Sequence, residues 1–222
     1  MKLGKDLVAS VEARNLVPVV EGAIEALVDG VIEDGLLKEL PVVSSLVALG
    51  KVGFSIRDRL LTQKIEKFLS EVATLSWSER ASAVHELAGT DGKQEKVGSL
   101  LLDMLDKADM EEKPRLLGKL FVALGRGEIL SDDYLRMVAM INGVYVGDLQ
   151  ALAGSNEVDR LAMNRRFALQ ANGFLVYSIR NPVNSAGTVM SMKDMGEALY
   201  NKPFEFAWAI SDDGRTILKH CF

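Results

Sequence analysis

Four apolar stripes at helical spacing fill residues 76–149, and their starts and stops are written in the sequence. Ser76-Trp77-Ser78-Glu79 reads as a capping box, in which a serine side chain and a glutamate three residues on satisfy each other's orphan N–H groups. That helix runs to about Leu87 and stops at Gly89. Thr90 or Asp91 can cap the next, whose buried stripe is Val97, Leu100, Leu101, Met104 and Leu105. Met110 to Pro114 opens a third, with Leu116, Leu117, Leu120, Phe121 and Leu124 inward and Gly125 and Gly127 at its end. Ser131-Asp132-Asp133 opens the last, through Tyr134, Val138 and Ile141 and on towards Leu149. Short polar joints between such helices imply an antiparallel bundle or stacked helical pairs. Met104, Met137 and Met140 read as core filler, because an unbranched thioether fits irregular gaps.

Upstream, small residues dominate. Val19, Val20, Ala23, Ile24, Leu27, Val28 and Val31 make one face of a helix, with Glu21, Glu25 and Asp29 on the other. Pro41 suits a helix start, since its missing N–H is an orphan there anyway. A helix from about Val42 to Thr74 is expected, apolar on several faces at first, with Gly50 and Gly53 inside it. Each interior glycine weakens a helix by about 1 kcal/mol relative to alanine, so the pair points to a bend or to close helix approach. Leu40 to Ile56 is 17 residues long and contains Lys51. A span needs about 20 apolar residues, and a central lysine costs about 2.5–3.5 kcal/mol on insertion scales, so the expectation is conditional rather than constitutive insertion. Leu46, Gly50, Gly53 and Phe54, followed by Arg57 and Arg59, are the candidate membrane or oligomer segment. The plainer reading of Arg57 and Arg59 pairs them with acids on neighbouring helices.

The texture changes at Gly154-Ser155-Asn156. A helix over Arg160 to Ala171 closes at Asn172-Gly173, and a strand follows at Phe174 to Tyr177. A polar loop, a second strand at Thr188 to Met190 and a helix from Ser191 to Tyr200 come next. Phe204, Phe206, Trp208 and Ile210 alternate before Asp212-Asp213-Gly214, which predicts a hairpin returning over Thr216 to His220. A helix followed by a two-stranded wing is winged-helix-like. Arg160, Asn164, Arg165, Arg166 and Arg180 would then be the contacts to nucleic acid or to a protein partner. Charge alone does not choose between them. Arg160 to Phe222 carries eight basic and five acidic residues, a local +3, against −8 for residues 1–159.

Ordinary catalytic signatures are missing. The sequence has no phosphate-binding glycine loop, no Gly-x-Ser-x-Gly and no paired-histidine helix. His85, His220 and Cys221 do not suffice for a zinc site, so no metal, cofactor or catalytic residue is expected. A single cysteine rules out an intrachain disulfide. Glu12, Arg14, Glu21 and Glu25 interrupt any leader-like core near the start, so a cytoplasmic protein is expected, membrane-associated on activation.

Pro41-Val42-Val43-Ser44, Ser55-Ile56-Arg57-Asp58-Arg59-Leu60 and Lys64-Ile65-Glu66-Lys67-Phe68-Leu69 resemble a group of uncharacterised small bacterial helical proteins. The likeness continues in Lys96-Val97-Gly98-Ser99-Leu100-Leu101-Leu102, Leu116-Leu117-Gly118-Lys119-Leu120-Phe121, Asn172-Gly173-Phe174-Leu175 and Met192 to Leu199. In layout the chain is similar to proteins of the abortive-infection-alpha type. The resemblance implies a bacterial origin and a mobile-element or phage-defence setting, and it brings no site residues.

The fold expected is mainly α. A helical bundle over 1–153 comprises a small-residue-rich apolar hairpin at 16–60 and a helical array at 76–153. An α/β winged-helix-like module with a C-terminal hairpin occupies 154–222. The function expected is that of an effector working by protein recognition and by oligomerisation or conditional membrane disruption. The alternatives are a winged-helix DNA-binding regulator and a non-catalytic adaptor.

Overall fold

A computed structural model describes residues 2–14, 16, 41–42, 44–45, 56–89, 94–155, 157–180, 192 and 205–222. Among them the chain is mainly helical, with one two-stranded antiparallel sheet near the C-terminus. It forms two compact units, Met1–Val146 with Lys219–Phe222, and Gly147–Leu218.

The first unit holds α1 (Lys2–Val11), α2 (Ile56–Val72), α3 (Trp77–Ala88), α4 (Gln94–Lys107), α5 (Lys113–Gly125) and α6 (Ser131–Gly143). The helix α2 packs along α5, and α1 along α4. The expected stripes are its core: Val97, Leu101 and Leu105 from α4, Leu117, Leu120 and Phe121 from α5, and Tyr134, Val138 and Ile141 from α6 are buried. Met104, Met137 and Met140 are buried with them. Phe68, Phe121 and Tyr134 form an edge-to-face chain with centroids 5.5 and 6.1 Å apart.

Local signals hold where side chains act on their own backbone. The Ser76 capping box is complete, with Glu79 N–H donating to Ser76 Oγ and Ser76 N–H to Glu79 Oε2 at 2.7 Å. Gly89 closes α3 with φ +60°, and Pro114 lies in the first turn of α5. The helix α6 does not continue to Leu149. Val144 is extended (φ −95°, ψ 151°), and a new helix, α7 (Val146–Ala153), starts after it. Pro41, Val42, Ser44 and Ser45 are helical, while residues 46–55 of the expected long helix lie outside the described residues. So do nearly all of the helix at 16–31, the caps at Thr90 and Asp91, the strand at 188–190 and, Met192 apart, the helix at 191–200.

Two buried polar groups mark opposite extremes of satisfaction. Lys113 pairs with Asp109 at 2.6 Å and donates to the Asn142 carbonyl at 2.8 Å, so its desolvated charge is matched. The Tyr134 hydroxyl is buried without a hydrogen-bond partner, and burial pushes its pKa upward, which keeps it protonated. An unpaired buried hydroxyl costs stability. Tyr134→Phe should therefore leave the fold intact and raise unfolding free energy by about 1 kcal/mol, read from urea denaturation.

The second unit holds α7 from Gly147 onward, a 3₁₀ turn (Val158–Arg160), α8 (Met163–Ala171), β1 (Leu175–Arg180), β2 (Glu205–Ile210) and α9 (Asp212–Cys221) as far as Leu218. The helix expected from Arg160 begins at Met163, so Arg160 stands on the preceding turn. The C-terminal hairpin is corrected. β2 pairs with β1, and residues 212–221 are helical rather than a returning strand. The reason is local. Ser211 Oγ accepts from Gly214 N–H at 2.9 Å, Asp212 and Asp213 occupy the first turn, and Lys219 and His220 the last, so the helix dipole is matched at both ends. Gly214 serves packing, not a turn, since a Cβ there would lie 2.7 Å from the Phe174 carbonyl oxygen.

Candidate interaction surface

The helix α8 ends at Asn172 and Gly173, whose φ of +82° turns the chain into β1. Ser211 ties the end of β2 to this corner, donating through its backbone to Phe174 O at 3.0 Å and through Oγ to Gly173 O at 2.6 Å. The antiparallel register sets Tyr177 opposite Trp208 and Leu175 opposite Ile210, so these four share one face. Leu175 is buried, as are Leu169, Phe174 and Ile217, whereas Tyr177 is 48% exposed.

On this sheet rests one side of α8. The Phe167 ring meets Trp208 edge-on at 5.4 Å, and Tyr177 lies tilted against the indole at 5.5 Å. Met163, one helical turn before Phe167, extends the same stripe. Met163 and Phe167 are 51% and 53% exposed, which leaves a contiguous apolar, aromatic surface open to solvent. The rings touch one another, so no cation-sized gap separates them as in an aromatic cage.

Around this surface the arginines are already engaged. Arg166 stacks over Trp208 at 5.7 Å and pairs with Asp159 at 2.9 Å, while its buried Nε has no hydrogen-bond partner. Arg160 pairs with Glu157 at 2.9 Å, and Arg165 with Asp148 at 3.4 Å. Asn164 is exposed, and Arg180 ends β1 in register with Glu205. The local +3 therefore does not survive folding. Gly147–Leu218 contains eight acidic and seven basic residues, a net −1, because this unit includes Asp148, Glu157 and Asp159 and leaves out Lys219. Recruitment of a polyanion needs clustered, unmatched positive charge.

Sequence reasoning singled out the arginines and missed the aromatic cluster. The alternation through Trp208 and Ile210 is the signal for it, but the strand partner is β1 rather than residues 216–220. Arg57 pairs with Asp106 of α4 at 2.8 Å, and Arg59 is exposed. Leu46, Gly50, Gly53 and Phe54 lie outside the described residues. Among the described residues no helix is long and apolar enough to cross a membrane, and no three His, Cys, Asp or Glu side chains converge as a metal site. Cys221 is buried in the first unit against the Leu116 carbonyl, and burial pushes its thiol up to about 12, too high for a thiolate nucleophile. His220 pairs with Glu128 at 3.2 Å, and burial pulls its pKa down.

No protein-family profile, curated protein or solved structure matches the chain.

Proposed function

We propose that this chain is a non-catalytic recognition protein whose second unit is a winged-helix-like module used for docking protein rather than reading DNA. The observation that carries the reading is the exposed Met163, Phe167 and Tyr177 around a partly buried Trp208, beside arginines matched to acids. Aromatics, methionine and arginine around an apolar centre are the composition of protein interfaces. The helix α8 followed by the strand β1 is what supports the winged-helix likeness, the expected second wing strand at 188–190 lying outside the described residues. In the abortive-infection-like setting that the sequence suggests, recognition through this face leads to oligomerisation or conditional membrane disruption. The segment containing Leu46, Gly50, Gly53 and Phe54, with Arg57 and Arg59 at its edge, carries that second step.

Controlled expression of the full chain in bacteria, together with dye release from anionic liposomes, tests the proposal. Growth arrest or leakage is the expected result, reduced at least about tenfold by Phe167→Ser/Tyr177→Ser. Absence of arrest, leakage and any oligomer would sink it. Salt-dependent retention on random duplex DNA, lost in Arg165→Ala/Arg166→Ala, would replace it with the DNA-binding regulator.

A further inference from the structure

We infer that the end of α9 is a pH-sensitive clasp on the first unit, closed while His220 is neutral and released when it is protonated. Residues 219–222 belong to that unit. Lys119 of α5 donates to the Cys221 carbonyl at 2.8 Å, and the Cys221 thiol donates to the Leu116 carbonyl at 3.6 Å. The third tie is His220, whose Nδ1 lies 3.2 Å from Glu128 Oε2. Of these groups only a histidine ordinarily changes charge near neutral pH.

A neutral imidazole suits this site better than an imidazolium. The His220 side chain is 11% exposed, so a charge placed on it loses most of its hydration. Lys219 beside it on α9 and Arg126 from the turn after α5 repel that charge, while Glu128 from the same turn attracts it. The carbonyl end of α9 also favours a cation, but Lys219 already supplies one. Lys119 of α5 and Glu71 of α2 act on the neighbouring Cys221 with opposite signs. Burial is the largest effect on His220, and the balance lowers its pKa. Once released into water, the same side chain regains the ordinary value of about 6.5. Closure is therefore strongest above that pH and weakens below it, because the open form takes up a proton that the closed form resists.

Cys221 is the chain's single cysteine and is 2% exposed, so its reactivity reports opening. The test is the rate of thiol exchange between the full chain and 4,4′-dithiodipyridine, divided at each pH by the rate for free cysteine. At pH ~7.5 Cys221 should react at least about a hundredfold more slowly than free cysteine. Between pH ~7.5 and ~5.5 the relative rate should rise at least about threefold. His220→Gln should remove the rise, and His85→Gln, at the chain's other histidine, should keep it. Glu128→Gln leaves an acceptor for the imidazole but takes away the carboxylate charge, so it should steepen the rise; its exposed position keeps the test open if His220→Gln does not fold. A flat profile in the unaltered chain overturns the inference, as does a rise that survives His220→Gln or is unchanged by Glu128→Gln. So does a relative rate at pH ~5.5 that climbs with low urea as steeply as global unfolding, because a local release exposes little surface.

Discussion

Gly98→Ala should destabilise the first unit by about 2 kcal/mol, against the usual benefit of alanine in a helix. Replacing a helical glycine by alanine normally gains about 1 kcal/mol. Here α1 and α4 cross backbone to backbone. A Cβ on Gly98 would overlap the Gly4 carbonyl, and one on Gly4 would meet the Gly98 carbonyl carbon at 3.0 Å. Neither obstacle is a flexible side chain, so the helices must separate, and overpacking of this kind costs about 3 kcal/mol. The separation would also loosen Leu7, Val8 and Val11, which α1 buries. Thermal unfolding should show a midpoint lowered by about 5 °C. Gly154→Ala, at an exposed position whose nearest obstacle is the Gln150 carbonyl oxygen at 3.4 Å, should change stability by less than about 0.5 kcal/mol.

Arg80→Met should cost more, about 3–4 kcal/mol, although methionine fills much of the same volume. Only 3% of Arg80 is exposed, and its guanidinium donates to three backbone carbonyls. These are Val11 O at 2.7 Å, Ala13 O and Leu75 O. Val11 is the last residue of α1, Ala13 lies two residues beyond it, and Leu75 precedes the Ser76 cap, so one side chain ties the end of α1 to the start of α3. Burial lowers the Arg80 pKa and Glu79 pulls it back up. An arginine stays charged under such shifts, and a charged donor makes stronger hydrogen bonds than a neutral one. Arg80→Lys presents a compact ammonium that cannot span all three acceptors, and should recover no more than about half of the loss. Urea unfolding of the three proteins checks the order, with hydrogen exchange showing the end of α1 opening first in Arg80→Met.

Neither feature was legible in the sequence, and the reason is distance along the chain. The Ser76 box, Pro114 and Gly89 act within a few residues of themselves, so their positions alone announce helix ends. Arg80 reaches back 69 residues to Val11, and Gly98 is needed because of Gly4. The C-terminal region shows the same division. Asn172-Gly173 was readable as a helix stop because Gly173 adopts positive φ on local grounds. Asp212-Asp213-Gly214 resembles a hairpin turn in composition, yet the Ser211 hydroxyl makes it a helix start. With that hairpin gone, Trp208 faces Tyr177 on a strand about 30 residues earlier, and the aromatic surface exists only through that pairing. The positive charge of the C-terminal stretch is subject to the same limit. A window opened at Arg160 excludes Asp148, Glu157 and Asp159, the acids that neutralise it once folded.

The most direct test of protein docking through the second unit sets its apolar stripe against its charges in one expression experiment. Phe167→Ser/Tyr177→Ser removes the stripe, and Arg160→Ala/Arg165→Ala removes two of the arginines beside it while leaving Arg166 on Trp208. Growth arrest lost in the first pair and kept in the second is the predicted result. Arrest kept in the first pair and lost in the second would contradict it.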